Sequence, residues 1–383
     1  MKSRPARTAG FFLFSLMFLP LFCFPHGRAP WPSGPGSVAE IAAMHIARAS
    51  HTSTLLPNGK VLIAGGFAGS GGEYNPYRTA EIYDPRSETF GPAASMSIGR
   101  SGHTATLLKN GKVLIVGGWT GRYDLRGSAE LYDPGTNTFT PTGNLAIERA
   151  GNTTTLLADG RTLVAGGEDR GENALSTAEL YDPSTGEFAQ TGSMHEPRGA
   201  HTATALKDGK VLIVGGGSGH YPSQNVYRSA ELFDPATGKF TPTGQITVGR
   251  HKHAAILLHS GRVLIVGGSD NRDWRGEYAS AEIYDPTSGT FTTTGAMNIP
   301  RFKLPAAVAL LPSGKVLVAG GGPFAELYDE NTGTFAEVSG SLGAARFFAS
   351  ATLLPGGKAL ITGGYAESDG GLPATPAAWI YQP

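Results

Sequence analysis

"HTATLLKNGKVLIVGG", residues 103–118, reads as a hairpin: "HTATLL", a turn at "NG", then the apolar run "KVLIVGG". Nearly the same words return as "HTSTLLPNGKVLIAGG" from His51 and "HTATALKDGKVLIVGG" from His201, with looser copies from Asn152, His253, Leu304 and Ala349. Seven glycine pairs close these copies, at Gly65-Gly66, Gly117-Gly118, Gly166-Gly167, Gly215-Gly216, Gly267-Gly268, Gly320-Gly321 and Gly363-Gly364. Their period of about 50 residues is that of propeller blades, not of the shorter helical solenoids.

Within a copy, Asn110-Gly111 is expected to form a two-residue turn with positive φ at both positions. Glycine holds the second place in every copy, at Gly59, Gly111, Gly160, Gly209, Gly261, Gly314 and Gly357. "AELYDP" (Ala129–Pro134) and "TFTPTG" (Thr138–Gly143) then make a second hairpin, closed by Asp-Pro turn chemistry. Four antiparallel strands form a blade, and no helical period of useful length interrupts them. The predicted fold is all-β, a seven-bladed β-propeller of four-stranded antiparallel blades. The last repeat stops at "AAWIYQP" (Ala377–Pro383), one strand short, while "SVAEIAAMHIAR" (Ser37–Arg48) aligns with "TFGPAASMSIGR" (Thr89–Arg100). An N-terminal strand is therefore expected to complete the seventh blade and cover edges that would otherwise pair with another chain.

The rest of the chain sets limits on function. Thirty-one Lys and Arg balance thirty-one Asp and Glu. With no basic surplus to neutralise phosphates, no nucleic-acid partner is expected. Lys2, Arg4 and Arg7 precede an apolar core from Phe11 to Phe24, which reads as a signal peptide over 1–29. Residues 30–36 then read as a linker and 37–383 as the propeller, secreted or periplasmic. Cys23 is the only cysteine, so the folded part has no disulfide. Membrane contact is expected only through the signal segment or a lipid on Cys23, against which the bulky Phe22 argues.

The glycine pair after an apolar strand, the Tyr-Asp strand and an aromatic in the outer strand together resemble the kelch repeat over residues 37–383. The outer aromatics are Phe90, Phe139, Phe188, Phe240, Phe291 and Phe335, where that family more often has Trp. The resemblance implies a propeller with "HTATLL" innermost and "TFTPTG" outermost. It also brings in galactose oxidase, whose kelch fold binds copper and uses a cysteine cross-linked to a tyrosine. This chain's single cysteine lies in the signal segment, so that chemistry is not expected, nor is any other metal or cofactor.

Seven arginines recur in phase: Arg48, Arg100, Arg149, Arg198, Arg250, Arg301 and Arg346. Six have a glutamate in the same repeat: Glu81, Glu130, Glu179, Glu231, Glu282 and Glu326. Buried structural ion pairs are the expectation. The seventh repeat carries Trp379 instead, which makes Arg346 an anion-site candidate near the channel mouth. His51, His103, His201 and His253 stand three residues after their arginines. They are expected at strand starts, bonded to a neighbouring backbone, and too far apart around the ring to share a metal. "VLIVGGGSGH" (Val211–His220) lacks dinucleotide spacing and a following helix. "NTT" at Asn152 falls on an inner strand, so it does not read as a glycosylation site.

Function is expected in the loops between each glycine pair and its "AE", on the face of the arginines. They concentrate Trp119, Tyr123, Tyr221, Asp270, Arg272, Asp273, Trp274, Arg275 and Tyr278. Aromatic faces beside polar donors and acceptors suit sugars and protein hot spots alike. The sixth loop shrinks to "GPF" (Gly322–Phe324), leaving a low point in the rim. The reading is an exported binding module for carbohydrate or an extracellular protein, with Arg346, Trp274, Arg272, Asp270, Asp273, Tyr278, Trp119, Tyr123 and Tyr221 as ligand-binding candidates and no catalytic residue. The alternative is an isomerase resembling periplasmic kelch-type sialic acid mutarotases, with Asp270, Asp273, Glu168, His220 and Arg346 as acid, base and carboxylate-binding groups.

Overall fold

The structure, a computed structural model, describes residues 36–69, 75–121, 124–219, 223–367 and 373–383. Seven four-stranded antiparallel sheets follow one another. Blade one runs outward from Thr52–Leu55 through Val61–Ala64 and Ala80–Asp84 to Thr89–Pro92. Blade seven takes three strands from the C-terminus, Ser350–Leu353, Ala359–Thr362 and Ala378–Gln382, and its outer strand, Ser37–Ile41, from the N-terminus. Val38 pairs with Tyr381 and Glu40 with Trp379, so the closing strand stands where the sequence put it.

The second strand of each blade is apolar without alternation because neighbouring blades cover both of its faces. Val61–Ala64, Val113–Val116 and Val263–Val266 are buried throughout. The cores lie between blades: Leu62, Ala64 and Met96 of blade one pack on Val113, Ile115 and Tyr132 of blade two. Each such aliphatic side chain, fully buried, contributes roughly 1.5–3 kcal/mol. Where the third and fourth strands pair, tyrosine lies on phenylalanine in five blades, as in Tyr83–Phe90 at 4.9 Å and Tyr284–Phe291 at 4.7 Å, and Phe233 lies on Phe240 in blade four.

The first hairpin turn differs from expectation. Positive φ falls on Gly59 and Gly111 but not on Asn58 or Asn110. Leu56 accepts from the Gly59 amide at 2.9 Å and donates to Lys60 O at 2.8 Å, a type I turn followed by a glycine bulge. The asparagine is used through its side chain instead: Asn110 Oδ1 accepts from the Lys112 amide at 3.1 Å. Glycine is required at the end of the second strand for space as well as for φ. A Cβ on Gly66, at φ +89°, would stand 2.6 Å from Ala49 O.

Candidate functional site

The arginines are taken up by the architecture. Arg48–Glu81 at 2.9 Å, Arg100–Glu130 at 3.3 Å, Arg149–Glu179 at 2.9 Å, Arg198–Glu231 at 3.1 Å, Arg250–Glu282 at 3.0 Å and Arg301–Glu326 at 2.8 Å are ion pairs with buried guanidinium groups. Each arginine also donates to the carbonyl at the end of the second strand, as Arg149 does to Gly166 O at 2.9 Å. This tie explains why arginine and glycine pair recur together. Arg346 forms no ion pair among the described residues, although Glu40 of the closing strand, paired with Trp379, attracts its charge. Its guanidinium lies 5.4 Å from the centre of the Trp379 ring, and its Nε donates to Leu342 O at 3.0 Å. The side chain is thus carried onto the third strand of blade seven, not to the channel mouth where the sequence reading put it.

The histidines fasten blade to blade through hydroxyls, while each ring also interacts with the backbone of the arginine three residues before it. Nε2 of His103 meets Thr52 Oγ1 at 3.1 Å, His201 meets Thr153 at 3.0 Å, His253 meets Thr202 at 2.9 Å, and His51 meets Thr362 at 2.9 Å. Burial, reinforced by the neighbouring arginine, pushes His51, His103 and His201 down to about 3 and His253 well below its ordinary value. All four are neutral imidazoles at physiological pH.

Two residues beyond each arginine, the chain turns toward the axis. Ser50, Gly102, Gly151, Ala200, Lys252, Lys303 and Phe348 all take positive φ, between 52° and 62°. Backbone bonds join them across blades: Gly102 N to Ser50 O at 3.0 Å, Lys252 N to Ala200 O at 3.0 Å, Phe348 N to Lys303 O at 3.0 Å, and Ser50 N to Phe348 O at 3.1 Å. This belt rims the mouth of the central channel. Four of its seven positions carry Ser, Gly, Gly and Ala; blades five to seven carry Lys252, Lys303 and Phe348. Along this belt, large side chains therefore stand together in one sector.

In that sector Phe302, Phe347 and Tyr365 are buried together, with Trp274 and Phe348 packed against them. Trp274 meets Phe302 and Phe347 edge-on, each at 4.8 Å. Lys303, only 6% exposed, places its Nζ 3.7 Å from the centre of the Trp274 ring and 4.8 Å from that of Phe302, and donates to Tyr365 Oη at 2.6 Å. No carboxylate forms an ion pair with it among the described residues. Burial, with the charge of Lys252 adding to it, brings its pKa down to about 7. Asp273 takes Lys252 Nζ at 2.9 Å and lies 3.6 Å from His251 Nε2. Burial would raise Asp273, but Lys252, together with Lys303 and His251, outweighs it and holds the carboxyl below its usual range. Burial, together with Lys252, lowers His251 to about 4. Burial raises the nearby Glu277.

Of the residues proposed from sequence, Trp274 and Asp273 belong to this cluster. Both sit on the turn Asp273–Arg275 that interrupts the blade-five loop. Asp270 and Arg272 pair with each other at 2.6 Å on the same loop. Tyr278 lies 5.3 Å beneath the Arg250 guanidinium, inside the repeat's own ion-pair stack. Trp119 bonds to Ser101 through the backbone and begins a short ribbon, Trp119–Gly121 with Asp124–Leu125, on blade two. Tyr123, Tyr221, His220 and Cys23 lie outside the described residues. Lys252, Lys303, His251, Phe348 and Tyr365 escaped the sequence reading. The signal for Lys252, Lys303 and Phe348 was a size change at one repeat position, from Ser, Gly, Gly and Ala to Lys, Lys and Phe.

Comparison with known proteins agrees with this architecture. The KLHDC2/KLHL20/DRC7 Kelch-repeats domain matches residues 102–322 and the Kelch motif matches residues 48–97. No curated protein matches the chain. Among solved structures, a fungal alcohol oxidase of the AA5 family, in complex with copper, is similar at a TM-score of 0.69 and 16% identity. The match covers 92% of this chain and 77% of that one. At that identity the likeness shows the fold alone. Among the described residues, no three His, Cys, Asp or Glu side chains come together as a group that could hold a metal ion.

Proposed function

This chain belongs to the kelch-repeat family of β-propellers, and from that premise we propose that it is an exported carbohydrate-binding module whose ligand seats at the channel mouth over blades five to seven. Kelch propellers generally serve as protein- and ligand-binding modules. The observation that carries the sector is the asymmetry of the belt: Ser50, Gly102, Gly151 and Ala200 leave one side low, while Lys252, Lys303 and Phe348 build up the other. Half-buried Phe348 and Trp274 offer ring faces, and Lys252 and Asp273 offer a donor and an acceptor, the combination that suits a sugar. Export rests on the basic and apolar run ending at Phe24.

The mutarotase reading would need Arg346 beside a carboxylate and an imidazole at the mouth. Its place on Trp379 favours binding over that chemistry. The test is a glycan-array comparison of the mature protein with Phe348→Ala and Trp119→Ala. Selective glycan binding lost in Phe348→Ala and kept in Trp119→Ala is the expected result. An array silent for the unaltered protein, or binding lost only in Trp119→Ala, would overturn the assignment; an extracellular protein partner would then be sought.

A further inference from the structure

We propose that Lys303 is a carbonyl-capturing amine, which in the enclosure of Trp274, Phe302 and Tyr365 condenses with small aldehydes to a Schiff base. The inference stands apart from the identity of any glycan and rests on the geometry of this one side chain.

A lysine kept for structure is normally paired with a carboxylate or left to reach water. Lys303 does neither: it is 6% exposed, and Asp273, the acid that acts on it most strongly, is already bonded to Lys252. Five rings lie within 6 Å of its Nζ, those of Trp274, Phe302, Tyr365, Phe348 and Phe347. Such an enclosure disfavours the ammonium and leaves the uncharged amine, the form that attacks carbonyl carbon. The charged groups acting on it are Lys252, which opposes its protonation, and Asp273, Glu277 and Glu367, which favour it; burial dominates all four. With a pKa of about 7, roughly half the Lys303 amine is free at neutral pH. An ordinary lysine near 10.4 has about one part in 2,500 free, so the advantage is on the order of a thousandfold.

The balance closes without an oxidant. The Nζ lone pair forms the C–N bond, the carbonyl π electrons move to oxygen, and a proton passes from nitrogen to that oxygen to give the carbinolamine. The C–O bond then breaks and water leaves with a proton from a neighbouring donor, while the nitrogen proton is given up to form the imine. The Tyr365 hydroxyl, 2.6 Å from Nζ, is placed to supply that proton. Burial raises its phenol, which keeps it protonated. His251, lowered to about 4, is a neutral base beside Asp273 in the same sector.

The test is reductive trapping on the intact protein with acetaldehyde and sodium cyanoborohydride at pH 7, read by peptide mass mapping. Hydride adds to the C=N bond and fixes the imine as an N-ethyl group. Lys303 is expected to be ethylated at least about ten-fold faster than exposed Lys109 and Lys239, and the preference is expected to collapse by about pH 10, where ordinary lysines lose their protons. Tyr365→Phe should slow labelling of Lys303 alone while the circular dichroism spectrum stays native. Lys303 unlabelled, or labelled no faster than Lys109 and Lys239, would overturn the proposal. That map needs no variant to fold, and glycan binding, read separately, does not bear on it.

Discussion

Lys303 and Trp274 come from different blades, and the amine of one sits 3.7 Å from the ring centre of the other. Trp274 belongs to the loop of blade five, whereas Lys303 precedes the inner strand of blade six. Blade six's own loop is cut to Gly322–Phe324, and Phe324 is turned to Arg301 at 5.3 Å. The tryptophan over Lys303 therefore comes from blade five. A desolvated cation–π contact contributes about 2 kcal/mol. Burying an ammonium costs several kcal/mol. The second effect wins, which is why the amine titrates low.

That imbalance makes stability depend on pH at one residue. In the unfolded chain Lys303 keeps its proton to about 10.4; in the folded chain it loses it near 7. Between those values the unfolded state binds more protons, so folding stability from this group rises with pH and is lost as pH falls toward 7. Lys303→Met removes the dependence. Urea unfolding at pH 6, 8 and 10 should find the methionine variant more stable at pH 6, by on the order of a few kcal/mol, with the gap closing toward pH 10.

The four inter-blade imidazoles act in a lower window. His51, His103 and His201 titrate near 3 when folded, against about 6.5 unfolded. Between these values the unfolded state again binds more protons, so stability falls as pH drops from 6.5 toward 3. Each histidine adds about 1.4 kcal/mol per pH unit to that fall. His103→Gln, measured by chemical unfolding from pH 4 to 6, should flatten the slope by about that amount.

The arginines should divide six to one. Arg149→Met strands the buried Glu179 carboxylate and should cost about 3–5 kcal/mol. Arg346→Met strands no buried acid, since Glu40 is exposed, and loses one carbonyl bond and the Trp379 stack, about 1–2 kcal/mol. Equal losses of melting temperature in the two variants would show that Arg346 has a buried partner after all.

The belt at the mouth holds side-chain-bearing residues in a conformation suited to glycine. Ala200 sits at φ +52°, bonded to Gly151 O at 3.2 Å. The left-handed conformation costs an L-residue about 1–2 kcal/mol, and glycine gives back about 0.5–1 kcal/mol through unfolded-state entropy. Ala200→Gly should therefore stabilise the fold by about 0.5–1 kcal/mol in thermal unfolding.

The architecture is legible in the sequence because repetition exposes it. The glycine pairs, the Arg–Glu phase and the missing strand at Pro383 each recur or fail to recur in a countable way. The turn at Asn110-Gly111 departs from its expected form because the dipeptide is compatible with two hairpin geometries, and only the three-residue spacing decides between them. The site is half legible. Trp274 and Asp273 stand out by composition, in a loop the repeat does not dictate. Lys303 and Phe348 do not, because they sit at a repeat position that looks like linker until its positive φ and inward placement are known. Arg346 draws attention by lacking glutamate, yet Trp379 is its partner in another chemistry.

Desolvation of the Lys303 amine among aromatic rings is open to direct measurement, because lysine titration can be followed by NMR through the Cε and Hε signals, assigned with Lys303→Arg. A single lysine with a midpoint near 7, absent from the spectrum of the Lys303→Arg variant, is the expected result. A Lys303 midpoint near 10, with the other lysines, would contradict it and leave the amine a solvated surface charge.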